Sequence, residues 1–272
     1  MKQPIITRDL ERKAIYTDII YDPEWTYVEV CIENTSSYSK SYTLDLHYCK
    51  CDFVVDWGDG TIEKNTADHR YKKPGTYTLR LKGQITFTGG KRDEHGLFDK
   101  SLTTKALQYG RGFDTNLGMF CGCIKLDEID PHFFANKSDL TSVKDMFRGC
   151  DKLQHIPDGL FDPLINLSDV SGVFLGCGNI TTIPERMFAK CKHIRNADNM
   201  LTRVSVHKLP DDLFEGLDEL ESAEYAFHFS CLTQIQSGLF SNKRKLKSLK
   251  GCFKNCDSVN IPEGLFDDCV NL

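Results

Sequence analysis

Two carboxylates three residues apart, Asp56 and Asp59, stand in the segment Val55-Asp56-Trp57-Gly58-Asp59-Gly60-Thr61. Paired acids at short range are the chemistry of glycoside hydrolysis, and carboxylate oxygens gathered on one loop are the chemistry of a calcium site. Asp56 and Asp59 are therefore the candidate metal residues, with calcium as the ion. The competing reading is structural: Asp59-Gly60 closes a tight turn, in which Asp side chains accept main-chain amide hydrogens. The surrounding sequence offers no nucleophile and no base with an orienting partner. A second constellation, His47, Cys49 and Cys51, alternates along one strand and so shares a face, as a metal-ligand set would. Neighbours on such a face are ~6.6 Å apart, too far for adjacent members to hold one ion without a bulge. The same face continues through Phe53 and Val55, which makes it a core face. No G-x-S-x-G, H-E-x-x-H or phosphate-binding glycine loop occurs. The expectation is a protein that is not an enzyme and needs no cofactor.

The elements that must carry these residues change character near residue 100. Before it the apolar period is two: Thr26 to Ile32, Ser41 to Tyr48, Cys51 to Asp56 and Thr76 to Leu81 read as antiparallel strands. Trp57 is the large residue expected to fill a small sandwich core, and Pro74-Gly75 turns the chain into the last of these strands. The run D-W-G-D-G-T at Asp56 to Thr61, followed by H-x-Y-x-x-P-G-T-Y-T from His69, resembles the PKD family of immunoglobulin-like β-sandwiches over roughly residues 25–83. The resemblance implies that Asp56 and Asp59 belong to a structural turn. Residues 1–24 form an N-terminal extension, in which Leu10 to Tyr21 reads as a short helix or an added edge strand ended by Asp22-Pro23. The sandwich is expected over 25–100, with Gly89-Gly90 marking the passage out of it.

After residue 119 a phenylalanine unit recurs every 13 or 14 residues, at Phe120, Phe134, Phe147, Phe161, Phe174, Phe188, Leu201, Phe214, Phe227, Phe240, Phe253 and Phe266. Around most slots the pattern is F-x-x-C/L-x-x-L, as in Phe147 to Leu153 and Phe266 to Leu272. Two flavours alternate, one with Gly-Cys after the slot (Met146 to Cys150) and one following an Ile-Pro or Leu-Pro step (Ile156-Pro157, Ile183-Pro184, Leu209-Pro210, Ile261-Pro262). The period is therefore a pair, 26 or 27 residues. Leu-x-x-Ile reads as a short extended rung, Pro opens the next turn, and Phe with apolar groups three and six residues on predicts a short helical turn. Each unit exposes one apolar face that only stacking can bury. The fold class expected is mixed β/α: the sandwich, a junction and capping coil over 101–119, and a solenoid of about six coils over 120–272.

With the phase set, M-F-x-G-C-x-x-L-x-x-I-P-x-G-L-F resembles the BspA-like leucine-rich repeats of bacterial surface proteins. A PKD-like domain feeding into such repeats resembles an arrangement in proteins of gut Bacteroidetes and of their phages. The resemblance implies adhesion or recognition of a protein or glycan at a cell surface; the alternative is a phage fibre or other virion component that meets the host surface. The polar, coil-to-coil variable rung positions form the candidate ligand strip: Gln154 and His155, Thr181 and Thr182, His207 and Lys208, Thr233 and Gln234, with Asp127 and Glu128 leading it.

Departures from the repeat are local clues. Leu201 and Val204 replace Phe and Cys, Gln236 replaces Pro, and from Val204 onward the coils are one residue shorter between the Cys slot and the Ile slot. A shorter coil alters local curvature; neutral drift is the other reading. Six of the twelve cysteines, Cys123, Cys150, Cys177, Cys256, Cys191 and Cys269, occupy slots where other coils hold Leu164, Leu217, Val204 or Ser230, which predicts a reduced ladder of small buried apolar groups. A formal charge of -5 leaves no footprint for nucleic acid, and Lys243-Arg244-Lys245 reads as a solvated coil edge. No stretch approaches the ~20 apolar residues of a membrane helix, and no secretion signal is visible at the N-terminus. The chain ends at Leu272 in an apolar slot, so an oligomeric contact, a further chain or an unusual cap is expected there.

Overall fold

The computed structural model describes residues 21–33, 41–46, 49–88, 96–115, 118–256 and 259–272. The reading of residues 1–20, His47 and Gly89-Gly90 lie outside them. Strands β1 (Thr26–Ile32), β3 (Cys49–Asp56) and β6 (Gly75–Phe87) carry alternating apolar residues that bury Val28, Val30, Ile32, Phe53, Val55, Leu79, Leu81 and Ile85 on one face. They join with β4 (Ile62–Lys64), β7 (Thr103–Gln108) and β9 (Glu128–Ile129) in the order β4-β3-β6-β1-β7-β9, while β8 (Phe113–Thr115) pairs with β6. A separate two-stranded sheet, β2 (Ser41–Thr43) with β5 (Asp68–Arg70), buries Tyr42 edge-on to Trp57 at 6.2 Å. The Tyr42 hydroxyl reaches Thr103 Oγ1 at 2.7 Å, tying this small sheet to β7.

β6 is longer than its periodic sequence predicts. Past the last β1 partner at Leu81 it runs on beside β8 through Gly83, a glycine at φ 118° whose missing side chain would strike Asp52 and Phe53 of β3. β7 is the hinge between the two halves of the molecule. It pairs antiparallel with β1 and parallel with β9, and β9 is the first rung of the repeats. One hydrogen-bonded sheet therefore runs from the N-terminal strands into the solenoid. The packing follows: Phe98 lies 5.0 Å from Phe120, and the Leu97 and Phe98 amides both donate to Met119 O.

The helical half of the expected β/α class does not form. Among the described residues no segment is α-helical. The Phe segments close one three-residue turn after another, as in Met146 N to Val143 O, Arg148 N to Asp145 O, Cys150 N to Phe147 O and Leu153 N to Cys150 O. The reason is the left-handed residues beside the slots: one flavour has them on both sides, Asp145 (φ 54°) and Gly149 (φ 68°), Gly172 (61°) and Gly176 (77°), Asn199 (55°) and Arg203 (60°), and the other has one, as Gly159 (67°) beside Phe161 and Arg186 (56°) beside Phe188. A helix cannot propagate through φ near +60°. The turns instead aim their amides at the next coil, with Phe147 N bonded to Val173 O and Gly149 N to Leu175 O.

Phe side chains stack along the axis in two ladders. Phe120, Phe147 and Phe174 are parallel within 9° at 5.5 and 5.6 Å, and Phe134, Phe161 and Phe188 follow at 5.8 and 5.2 Å. Such contacts are worth about 0.5–1.5 kcal/mol each beyond the area they bury. Leu201 interrupts the first ladder, which resumes as Phe227 on Phe253 at 5.6 Å; the second resumes as Phe214, Phe240 and Phe266 at 5.7 and 6.0 Å. At the far end Ile261, Phe266, Val270 and Leu272 are exposed.

Candidate functional site

The motif acids of the N-terminal domain are engaged by the protein itself. Asp56 Oδ1 accepts from Gly58 N at 2.9 Å, and Oδ2 accepts from Arg80 Nε and Nη2 at 2.9 and 2.7 Å. Asp59 Oδ1 accepts from Thr61 N at 3.0 Å, and Oδ2 lies 2.9 Å from His69 Nε2. All four oxygens cap a turn or close an ion pair, so the geometry is that of a structural turn. Burial pushes the Asp59 carboxyl up, but hydrogen bonds from His69 and Thr61 outweigh it and hold the group below its ordinary range. His69 is itself stacked on Trp57 at 4.9 Å and edge-on to Tyr71 at 4.7 Å, while the Tyr71 hydroxyl donates to Trp57 O at 2.9 Å. The D-W-G-D-G-T and H-x-Y motifs are one interlocked cluster around a fully buried Trp57.

Cys49 and Cys51 lie half-buried on the same side of β3 as Phe53 and Val55, packed against the core. Burial pushes the Cys49 thiol up to about 11 and raises that of Cys51, opposite to what a metal ligand requires. Among the described residues no group of three or more His, Cys, Asp or Glu is placed to hold a metal ion.

In the solenoid no cysteine forms a disulfide, and the six in repeat slots are all buried. Their role is more specific than an apolar filler. Cys150 Sγ reaches Phe120 O at 3.2 Å, Cys177 reaches Phe147 O at 2.9 Å, Cys191 reaches Phe161 O at 3.3 Å and Cys256 reaches Phe227 O at 3.0 Å. Each thiol is a weak donor to the Phe carbonyl of the preceding coil. Two lysines share the sister slot, a feature the sequence reading passed over. Lys137 and Lys243 stand three residues after Phe134 and Phe240, with side chains 1% and 2% exposed. Lys243 is thus not part of a solvated edge. A lysine can fill a Leu slot when its stem packs and its ammonium finds oxygens. The Lys137 ammonium pairs with Asp114 and sits 4.8 Å over the Tyr109 ring; the Lys243 ammonium donates to Ser241 O at 2.8 Å, with Asp218 only at 4.0 Å. Burial lowers the Lys243 pKa, and Asp218 only partly offsets it.

The expected ligand strip is exposed throughout: Gln154, His155, Thr181, Thr182, His207, Lys208, Thr233 and Gln234 all face solvent. They lie on one of two rung columns. The other, Ser142, Asp169, Asn196, Ser222 and Ser248, is bridged in parallel at every step. In the strip column, β9 at Glu128 pairs with β7, and further along isolated bridges run from Lys208 through Gln234 to Asn260, with the Thr233 amide donating to His207 O at 3.1 Å. Among the described residues no such bridge joins the rungs at 155, 182 and 208. At the last of these gaps a groove of ≈ 660 Å³ opens, lined by Thr181, Thr182, Ile183, Glu185 and Ser205, with His207 to Asp212 on the other side. Four of the eight strip residues therefore line one concavity.

The change in coil length falls at this groove. Cys177 to Ile183 spans one residue more than Val204 to Leu209, so the rung at 182 ends the longer coils and that at 208 begins the shorter ones, and isolated bridges of this column join only the shorter coils among the described residues. Ser205 makes the join, its amide donating to Ile180 O at 3.0 Å and its hydroxyl to Gly178 O at 2.6 Å. Beyond that join the rungs diverge. The groove floor is apolar, from Ile183, Leu209 and Pro210, and its rim carries Glu185, Asp211 and Asp212 against His207 and Lys208. Asp212 is held by the Arg186 amide at 3.0 Å, and Lys208 pairs loosely with Asp211 at 3.8 Å. An apolar floor with a few convergent polar groups is the usual form of a binding cleft.

Residues 125–272, more than half of the chain, match the BspA type leucine rich repeat region, in six copies. No curated protein matches the chain.

Proposed function

The chain belongs to the BspA-type leucine-rich repeat family, and from that premise we propose that it is a non-enzymatic recognition protein whose ligand lies in the groove between Thr181 and Asp212. The observation that carries this reading is the coincidence of three features at one place: the coil-length step, the unbridged stretch of the rung column and the mixed polar and apolar cleft. The ligand is a protein or glycan displayed on a cell surface, and the family supports a surface location for this chain. No helix of the described residues is long and apolar enough to cross a membrane. The N-terminal sheet acts as a PKD-like attachment domain; its buried Trp57 and the turn-capping Asp56 and Asp59 support that assignment.

The test is an array of cell-surface glycans and extracellular proteins probed with the full chain and with Thr182→Trp and His207→Trp, which fill the groove from exposed positions. Binding that falls at least ~10-fold in both variants, but is kept in Gln154→Trp, is the expected result. Binding that survives the filled groove, or absence of any array ligand, sinks the proposal.

A further inference from the structure

A second surface stands out on the turns that precede the strip column. At the two left-handed positions flanking the Phe slot, sister coils hold Gly149, Gly172, Gly176 and Gly251, the small polar Asp145, Asn199 and Asn255, or Arg203. One coil instead places Tyr225 (φ 54°) and Phe229 (φ 56°) there. Bulky aromatic residues at such φ are rare because the side chain crowds its own carbonyl, and retained strain of this kind gathers at functional sites. Packing of the core does not require the Phe229 ring, which is 47% exposed.

The surroundings say what this surface is suited to hold. His228 lies 4.4 Å from Phe229 and 5.4 Å from Tyr225, and Asn255 Nδ2 is 3.3 Å from His228 Nε2. The Arg203 guanidinium sits 5.5 Å over the Phe229 ring. Among the described residues Arg203 has no carboxylate partner, whereas Arg195 on the same coil is bound to Glu219. Burial and the cations Lys254 and Arg203 lower the His228 pKa. In a chain of formal charge -5, this is a cationic patch built on aromatic rings.

We propose that Arg203, Tyr225, His228, Phe229 and Asn255 form a binding platform for an acidic sugar, a ring bearing a carboxylate, separate from the groove. A guanidinium stacked on an aromatic ring keeps its N–H edge free to grip a carboxylate through two parallel hydrogen bonds. The face of the Phe ring is electron-rich and attracts the partly positive C–H face of a saturated sugar ring. A uronic or sialic acid carries both groups on one rigid frame. An acidic peptide needs only the guanidinium and leaves the strained aromatic without a purpose.

The experiment titrates the full chain with sialyllactose, tri-galacturonate, lactose and hexaglutamate. The decisive variant is Phe229→Gly, which installs the residue found in sister coils and relieves the left-handed strain. It is expected to melt no lower than the parent while losing at least ~10-fold in affinity for an acidic sugar. Arg203→Gln is expected to remove the preference for acidic over neutral sugar, and Thr182→Trp in the groove to change neither. The proposal is overturned if no acidic sugar binds, if lactose binds equally well, if only hexaglutamate binds, or if Phe229→Gly binds as the parent does.

Discussion

The two rung columns are built from the same repeat and differ in continuity. Along the Ser142 to Ser248 column each coil offers successive amides to the next, from Val170 N to Asn196 O through Phe174 N to Met200 O and Gly176 N to Thr202 O. That ladder crosses the coil-length step without a break, Ala197 N bonding Ser222 O and Arg203 N bonding His228 O. Among the described residues the strip column is unbridged between the longer coils, at 155, 182 and 208, and bridged between the shorter coils that follow, from Lys208 to Asn260. One edge therefore carries cohesion, and the other can open without unravelling the stack. In a solenoid, where each coil contacts only its neighbours, this is how a local cleft coexists with a continuous core.

The comparison can be broken most forcefully on its rigid side. Phe147, stacked between Phe120 and Phe174, should lose about 3–5 kcal/mol on change to Ala. Phe188, with only Phe161 as a ladder neighbour, should lose less under the same change. Urea unfolding midpoints of the two variants check this, and equal losses would mean that the step does not weaken coupling on the strip side. The next largest effect concerns the buried lysines. Lys243→Leu restores the residue type of Leu164 and Leu217 and removes a poorly partnered buried cation, so it should stabilise by about 1–3 kcal/mol. Lys137→Leu should gain less, since it also removes the Asp114 pair and the Tyr109 contact. Thermal melts at pH 7 rank the two.

Deleting Asn179 makes the Cys177 to Ile183 spacing equal to that of Val204 to Leu209. It should slow amide hydrogen exchange at residues 207–209 as the strip column gains bridges, with a stability change near ~1 kcal/mol, one net hydrogen bond. Unchanged exchange would separate the groove from coil length. The smallest effect belongs to the N-terminal turn. Because the folded state holds the Asp59 carboxyl below its ordinary range, its contribution is complete above about pH 3.9 and is lost as pH falls through the lower folded-state value. Asp59→Asn should flatten the acid side of the stability profile there and lower stability at neutral pH by the contribution that the carboxylate makes through Thr61 and His69.

Much of the architecture is legible before folding. The Phe period reports buried slots because a residue that must face the same neighbour in every coil recurs in phase, and only Phe253 and Phe266, near the exposed end, are less than buried. The strip residues are legible as polar positions between apolar ones. The turns differ from the expected helical ones for a physical reason: spacings of three and six suit a helix and a chain of three-residue turns equally, and the difference lies in the left-handed residues, which at Asp145, Asn199, Arg203, Tyr225 and Phe229 are not glycine. Lys137 and Lys243 are not legible as buried groups because lysine in sequence signals solvent; only their place three residues after Phe134 and Phe240 marks them.

By itself, then, the sequence determined the period, the stacked core, the coil-length step and the reduced thiol slots, since each is a repeated local choice. Tertiary structure alone decided that β7 joins the N-terminal sheet to the first rung, that one column stays laddered while the other opens beside Thr182, and that Arg203 comes to lie over Phe229. Those outcomes depend on register between coils 26 or 27 residues apart, and register is a property of the stack, set by how each rung meets its neighbour and not by any residue within it.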